Sequence, residues 1–270
     1  MPITLPTRLG RLGVRVEEGP REAAVLWHSF FVDSHSWDRM VPVLKRLRTL
    51  VLIDGPSFGA SEPLHRASTI AECALAAFEV LDTLGIDRAD WVGNGWGGQV
   101  GIAAALESPR RIRSLVSIGA PVAPIAGRER CDLAISLPLV RALGFAPFIQ
   151  RRALQSVLTP RTLAVDPEAV RIVRSGFAHV ERRGFIQAAK SFVLDRPSLE
   201  AAAEAVEVPT VFVAGDARDG WGPADAQAMT DKMADARTRT LHGVRNIAPL
   251  EDPDAVAAIV REQWTATARR

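Results

Sequence analysis

The chain has 270 residues, of which 47% are hydrophobic and 24% are charged, and its formal net charge is +2. This length and composition fit one globular domain with a sizeable core. The basic residues are scattered arginines, with lysine only at Lys45, Lys190 and Lys232, so the sequence lacks the basic block that binding to nucleic acid requires.

Membrane and secreted classes are also disfavoured by the sequence. No apolar run approaches the ~20 residues of a membrane span, and residues 1–14 lack the apolar centre of a secretion signal. Cys73 and Cys131 show no metal-ligand spacing and favour free thiols in a reducing compartment. We therefore expect a cytoplasmic protein with no membrane partner, no cofactor and no metal.

The first third of the chain alternates apolar strands with amphipathic helices. Strands are predicted at 12–17, 23–28 and 49–54, helices at 36–47 and 69–84, and a turn-rich loop at 55–61. Ser68 is the expected N-cap of the second helix, with Glu72 in its first turns. The opening hairpin region is a candidate for antiparallel edge strands.

A glycine-rich stretch at 91–98 joins a predicted strand, 90–93, to an Ala-rich helix, 99–106. A strand that turns sharply into a helix needs small residues where the backbones approach, and Gly93, Gly97 and Gly98 provide them. The spacing is that of the G-x-S-x-G nucleophile elbow, but Gly95 stands where the serine should be.

The rest of the chain returns to the same alternation after a long helical insertion. A strand is predicted at 112–119, and residues 121–206 contain amphipathic segments but no clear strand. Further strands are predicted at 210–215 and 238–242, with helices at 223–234 and 253–265. The pattern predicts an α/β fold, with a mostly parallel, doubly wound sheet formed by 1–120 and 207–270 and a helical cap formed by 121–206.

With these motifs in order, the chain resembles the α/β-hydrolase superfamily over nearly its whole length. The stretch 25–30 is similar to its oxyanion loop, 53–61 to its D-x-P-G-x-G-x-S loop and 93–98 to its elbow. Trp96-Gly97-Gly98 resembles the epoxide hydrolase and haloalkane dehalogenase branch, and Gly93-Asn94 the elbow of C–C bond hydrolases. The resemblance implies a catalytic serine or other nucleophile, an acid and a histidine.

Two of these three catalytic positions are substituted. Gly95 has no side chain and cannot be a nucleophile. The histidine position falls on Asn246, whose amide cannot accept a proton near neutral pH. Loss of both groups indicates that the covalent mechanism has been abandoned.

The acid position has two alignments. Counting forward from Gly215 gives Arg218, and counting back from Pro223 gives Asp219. An arginine has no acidic role, so Asp219 is favoured, and a hydrogen bond from Asn246 to Asp219 is expected.

The backbone parts of the site are expected to remain. The resemblance places the N–H groups of Phe30 and Trp96 above Gly95, where they can bind a carbonyl oxygen, and predicts extra room at the missing side chain. Ser29 replaces the usual loop glycine. His28 and Asn94 flank the site, and a structural role is the alternative for each.

Three functions remain open from the sequence. The first is a non-hydrolytic lyase, isomerase or cyclase acting on a small apolar molecule with a carbonyl group. The second is a catalytically inactive ligand-binding protein. The third is a hydrolase that uses a relocated serine, such as Ser29, Ser57 or Ser61, or a water activated by Asp219. The sequence does not indicate an oligomeric state.

Overall fold

The central strands are apolar along their whole length because helices cover both faces of the sheet. The computed structural model describes residues 2–20, 22–178, 180–218 and 220–268. Within these ranges eight strands form one sheet in the order β1-β2-β4-β3-β5-β6-β7-β8. The strands are β1 (Ile3–Thr7), β2 (Gly10–Glu17), β3 (Ala23–Trp27), β4 (Thr49–Ile53), β5 (Ala89–Asn94), β6 (Ile112–Ile118), β7 (Thr210–Gly215) and β8 (Ala236–Leu241).

The pairing confirms the predicted mostly parallel sheet. Strands β3 to β8 pair in parallel, whereas β1 with β2 and β2 with β4 are antiparallel. Parallel strands end at the same edge of the sheet, so the loops after β3, β5, β7 and β8 lie close together. Ligands of open α/β sheets bind at that edge.

Helices occupy both faces of the sheet and a long insertion between β6 and β7. The helices are α1 (Val41–Leu44), α2 (Ile70–Thr83), α3 (Trp96–Glu107), α4 (Gly127–Leu143), α5 (Pro147–Val157), α6 (Pro160–Val165), α7 (Pro167–Ala178), α8 (Arg182–Ala189), α9 (Glu200–Glu204), α10 (Pro223–Thr230), α11 (Ala248–Glu251) and α12 (Pro253–Thr267). Helices α2, α3 and α10 share one buried cluster with the sheet, and α1 and α12 share another on the opposite face. The described helices all fall short of the length and hydropathy that a bilayer crossing demands.

Two local predictions were wrong. The single helix predicted at 36–47 is a 3₁₀ turn, Ser34–Trp37, followed by the one-turn helix α1. Pro42 explains the break, because proline lacks an N–H donor and fits only the first turn of a helix. The N-cap of α2 is Thr69 and not Ser68: Thr69 and Glu72 form a reciprocal capping box.

The helical insertion packs firmly on the sheet layer. Phe185 and Phe192 are fully or almost fully buried and belong to the same apolar cluster as Trp27, Trp91 and Trp96. The Phe192 ring stacks on Trp96 with centroids 4.9 Å apart. The space enclosed between insertion and sheet therefore has an aromatic wall.

Candidate functional site

The turn from β5 into α3 has the geometry of the elbow that the sequence predicts. Gly95 lies at φ +54° and ψ −116°, between the last residue of β5 and the first of α3. A Cβ at Gly93 would lie 2.1 Å from the Gly97 carbonyl oxygen, and one at Gly97 would lie 2.0 Å from the Trp27 carbonyl oxygen. Glycine is required at both positions because the helix start lies directly against the strands.

The room expected at Gly95 is occupied by the side chain of Ser29. A Cβ built on Gly95 would lie 2.4 Å from Ser29 Oγ and 3.2 Å from Ser29 Cβ. Ser29 is 8% exposed, and its hydroxyl makes no hydrogen bond to any residue that the structure describes. The hydroxyl missing from the elbow is thus replaced, nearly in place, by one from the loop after β3.

His28 is committed to the loops and has no free ring nitrogen. Nδ1 lies 2.7 Å from the Ser29 carbonyl oxygen, and Nε2 lies 2.8 Å from the Gly55 amide nitrogen. These partners assign a tautomer in which Nδ1–H donates and Nε2 accepts. Complete burial lowers the pKa of His28, so the ring is neutral at pH 7. His28 orders the two loops and does not line the cavity described below.

The two predicted backbone donors are unpaired. Within the described ranges, the N–H groups of Phe30 and Trp96 have no protein acceptor. Their rings pack together, with centroids 5.5 Å apart. Asn94 lies behind them, and its Nδ2 donates to the carbonyl oxygens of Ile118 (3.1 Å) and Asn246 (2.9 Å). Asn94 therefore ties the elbow to the loop after β8.

Asn246 binds the end of a helix of the insertion. Its Nδ2 donates to the Ser156 carbonyl oxygen at 2.9 Å, and its backbone N–H donates to the Val157 carbonyl oxygen at 3.3 Å. The neighbouring Arg245 donates through Nη1 to the Gln155 carbonyl oxygen at 2.6 Å. Three consecutive carbonyls at the end of α5 are satisfied in this way, which a helix C-terminus requires. Oδ1 of Asn246 is buried and has no partner in the described part of the chain.

Of the two candidates for the acid position, the structure describes only Arg218. Asp219 lies outside the described residues, so its predicted hydrogen bond with Asn246 stays a prediction. Nη1 of Arg218 donates to the Gly119 carbonyl oxygen at 3.0 Å, and its buried Nε has no acceptor among the residues that the structure describes. Burial lowers the pKa of Arg218.

His242 directly follows β8, and its side chain is 84% exposed. Its Nδ1 lies 2.7 Å from Asp216 Oδ2, and this hydrogen bond lowers the pKa of Asp216. Asp216 directly follows β7, yet neither residue reaches the elbow cavity. The pair is a surface contact.

A cavity of about 650 Å³ opens above the elbow, between the sheet edge and the insertion. Its wall includes five residues that the sequence placed in the site: Ser29, Phe30, Gly95, Trp96 and Asn246. The structure thus brings together residues from three loops that are far apart in the chain. Most of the remaining wall is apolar, as is usual for small-molecule sites.

Sequence reasoning missed Arg196, a buried cation in the cavity wall. Its Nη atoms donate to four backbone carbonyls, those of Pro121, Val122, Ala123 and Pro197. Burial lowers the pKa of Arg196 to about 10, so it remains charged at pH 7. Nothing in the sequence distinguishes it from the many surface arginines.

Comparison with known proteins agrees with this architecture. The model of the Alpha/beta hydrolase family matches residues 24–259. The chain belongs to the α/β hydrolase family.

Two relatives of the chain are named as hydrolases. The chain is 29% identical over 191 residues to 2-hydroxymuconate semialdehyde hydrolase of Pseudomonas sp. (strain CF600), covering 67% of this chain and 63% of that protein. It is 38% identical over 86 residues to the putative carbamate hydrolase RutD of Stutzerimonas stutzeri, covering 32% of each. These matches span less than two thirds of either relative.

A solved structure extends the likeness to the whole chain. The enol-lactonase from Burkholderia xenovorans LB400 superposes with a TM-score of 0.88 at 22% identity, covering 97% of this chain and 100% of that one. At this identity the likeness concerns the fold.

Proposed function

We propose that this protein is a non-hydrolytic enzyme, of lyase, isomerase or cyclase type, which acts on a small carbonyl-containing molecule. The molecule binds in the cavity between the sheet and residues 121–206, which serve as its cap. The observation that carries the proposal is the arrangement at the elbow: an unpaired Ser29 hydroxyl fills the place of the missing side chain, beside two unpaired N–H groups in an open cavity.

Three donors suit a carbonyl oxygen that gains negative charge. Phe30, Trp96 and Ser29, which carry the two N–H groups and the hydroxyl, all line the cavity. Preorganised donors of this kind stabilise a developing oxyanion by roughly 3–4 kcal/mol each in acyl transfer. They favour any step whose transition state resembles an enolate, and such a step needs no covalent intermediate.

The missing base argues against hydrolysis through Ser29. A serine attacks efficiently only when a neighbouring base takes its proton. Both ring nitrogens of His28 are engaged, and the Asn246 amide has no basicity. Hydrolysis by a water that Asp219 activates is the remaining hydrolytic alternative.

A ligand-binding protein without turnover is the second candidate. The role of Asn246 at the end of α5 favours it, because this residue stabilises the fold where the family has its catalytic histidine. In that case the cavity still binds a ligand but no longer catalyses a reaction. The expected cytoplasmic location stays a prediction under either function.

A substrate panel and a restored triad test the proposal. We expect the parent to leave p-nitrophenyl esters, epoxides and haloalkanes unchanged. We expect it to convert at least one carbonyl metabolite in a mass-spectrometric screen. Saturable binding without a product in that screen would establish the second candidate. Ester hydrolysis by the parent that Ser29→Ala abolishes would establish a relocated nucleophile and refute the proposal.

The restored variant must change three positions because of the contact at the elbow. Gly95→Ser with Asn246→His alone places a new side chain against Ser29 Oγ. Adding Ser29→Gly removes that contact and restores the usual loop glycine. Ester hydrolysis in the triple variant, with an inert parent, would show that only the nucleophile and base are lacking.

A further inference from the structure

We infer that the ligand carries an anionic group, a carboxylate or a similar oxyanion, which Arg218 binds in the loop after β7, at one of the two positions that align with the family's catalytic acid. This inference rests on the proposed function only in assuming that the cavity takes a small molecule. It adds the charge of that molecule and the side chain that binds it, which the fold does not specify.

Arg218 has donors to spare inside the cavity wall. Its Nη1 holds the Gly119 carbonyl oxygen, but its Nε is buried with no acceptor, and within the described ranges Nη2 donates to nothing. A buried guanidinium N–H without an acceptor is unfavourable, because its hydration has been removed and not replaced. An oxygen of the ligand at this edge would satisfy it, and a planar carboxylate would bind Nε and Nη2 together.

The charges around the cavity support an anion there. Arg218 is half-buried, and the buried charge of the wall is a second cation, Arg196, whose Nη atoms donate to carbonyl oxygens. The other charged wall residues, Arg128, Glu129 and Asp225, are exposed. Glu129 acts on Arg218 through space, but no ion pair joins the two among the described contacts. The buried part of the wall is therefore positive.

The location of Arg218 orients the ligand. The cavity wall holds Arg218 and Asn246 together with the Ser29 and Gly95 elbow. A ligand with a carbonyl at the elbow and an anionic group at Arg218 would use both.

Two dyes that differ only in a charged group test this inference. The probes are 8-anilinonaphthalene-1-sulfonate, which is anionic, and N-phenyl-1-naphthylamine, its neutral counterpart, with affinities measured by fluorescence titration. We expect the wild-type chain to bind the anionic dye about tenfold more tightly, the worth of one charge-assisted hydrogen bond. Arg218→Gln should remove this preference and leave the neutral dye unaffected.

Two matched variants complete the experiment. Arg218→Lys keeps the charge and should retain most of the preference. Arg128→Gln removes an exposed charge from the rim of the same cavity and should change it less than about twofold. Far-UV circular dichroism and thermal unfolding establish that each variant is folded.

The inference is overturned if the wild-type chain binds neither dye, or binds both equally, or if Arg218→Gln keeps the preference. The wild-type comparison alone decides if Arg218→Gln does not fold. Because the readout is binding, a chain that prefers the anion but converts no metabolite would refute the enzymatic proposal and leave this inference standing. Conversion of neutral carbonyl compounds without any preference for the anionic dye would support the enzymatic proposal and refute this inference.

Discussion

The contact between Ser29 and Gly95 predicts a specific energetic coupling. A Cβ at position 95 would lie 2.4 Å from Ser29 Oγ and 3.2 Å from Ser29 Cβ. In Gly95→Ala the serine must rotate, which costs about 0.5–1.5 kcal/mol, and the Cβ atoms remain crowded. The positive φ of +54° adds a separate cost of about 1 kcal/mol or more, whatever residue stands at position 29.

A double-mutant cycle separates these two costs. We expect Gly95→Ala to lower the free energy of unfolding by about 2–3 kcal/mol in the wild-type background. In the Ser29→Gly background the contact is gone and only the backbone cost remains. The coupling energy between the two sites should therefore be about 1–2 kcal/mol, with the double variant more stable than the sum of the singles predicts.

Urea unfolding of the four proteins at pH 7 measures the cycle. Ser29→Gly also lowers stability because glycine raises the backbone entropy of the unfolded chain. The single variant measures this effect, which is then subtracted when the coupling energy is calculated. Additive effects within about 0.3–0.5 kcal/mol would refute the placement of Ser29 at the elbow. So would a variant Gly95→Ala as stable as the wild type.

Two further predictions concern the framework. Asp90→Ala should lower the free energy of unfolding by about 3–5 kcal/mol in urea titrations, because it leaves the nearly buried Arg48 without the fully buried carboxylate 2.8 Å away; a loss below 1 kcal/mol would contradict this. Asp166→Asn should cost about 1–2 kcal/mol at pH 7, since the hydrogen bonds from Arg39 hold the pKa of Asp166 below its usual range. A depressed carboxyl pKa stabilises the fold above about pH 4 and loses this effect as the pH falls through the folded-state pKa, so thermal unfolding of variant and wild type should converge near pH 2.

The sequence predicted the parts of the fold that repeat a period. Apolar runs such as residues 23–27 and 210–215 are strands because only a sheet covered on both faces buries every side chain of such a run. Helix α2 was found to within a residue, since its capping box and amphipathic face agree. The prediction of one helix at 36–47 was wrong. Trp37 and Leu44 are buried although no continuous helix joins them, and Pro42 lacks the N–H donor that a longer helix would need.

The sequence predicted which residues belong to the site but not which atoms they contact. The elbow glycines and the loop residues Ser29 and Phe30 were identified by motif order. That Ser29 Oγ fills the space at Gly95 depends on how two strands lie side by side, which spacing along the chain does not encode. The attachment of Asn246 to α5 was equally invisible, because its partners lie about 90 residues away.

The packing of the insertion determines how a ligand reaches the elbow. Phe185 and Phe192 are buried against the rings of Phe30, Phe58 and Trp96. Moving α8 and the turn that follows it away from the sheet would expose these five rings to water. The cost is about 1.5–3 kcal/mol for each ring, on the order of 10 kcal/mol together. Such an opening is too rare to be the route of ligand binding and release. A ligand therefore enters without displacing these rings, past the exposed part of the cavity wall, which includes the charged residues Arg128, Glu129 and Asp225.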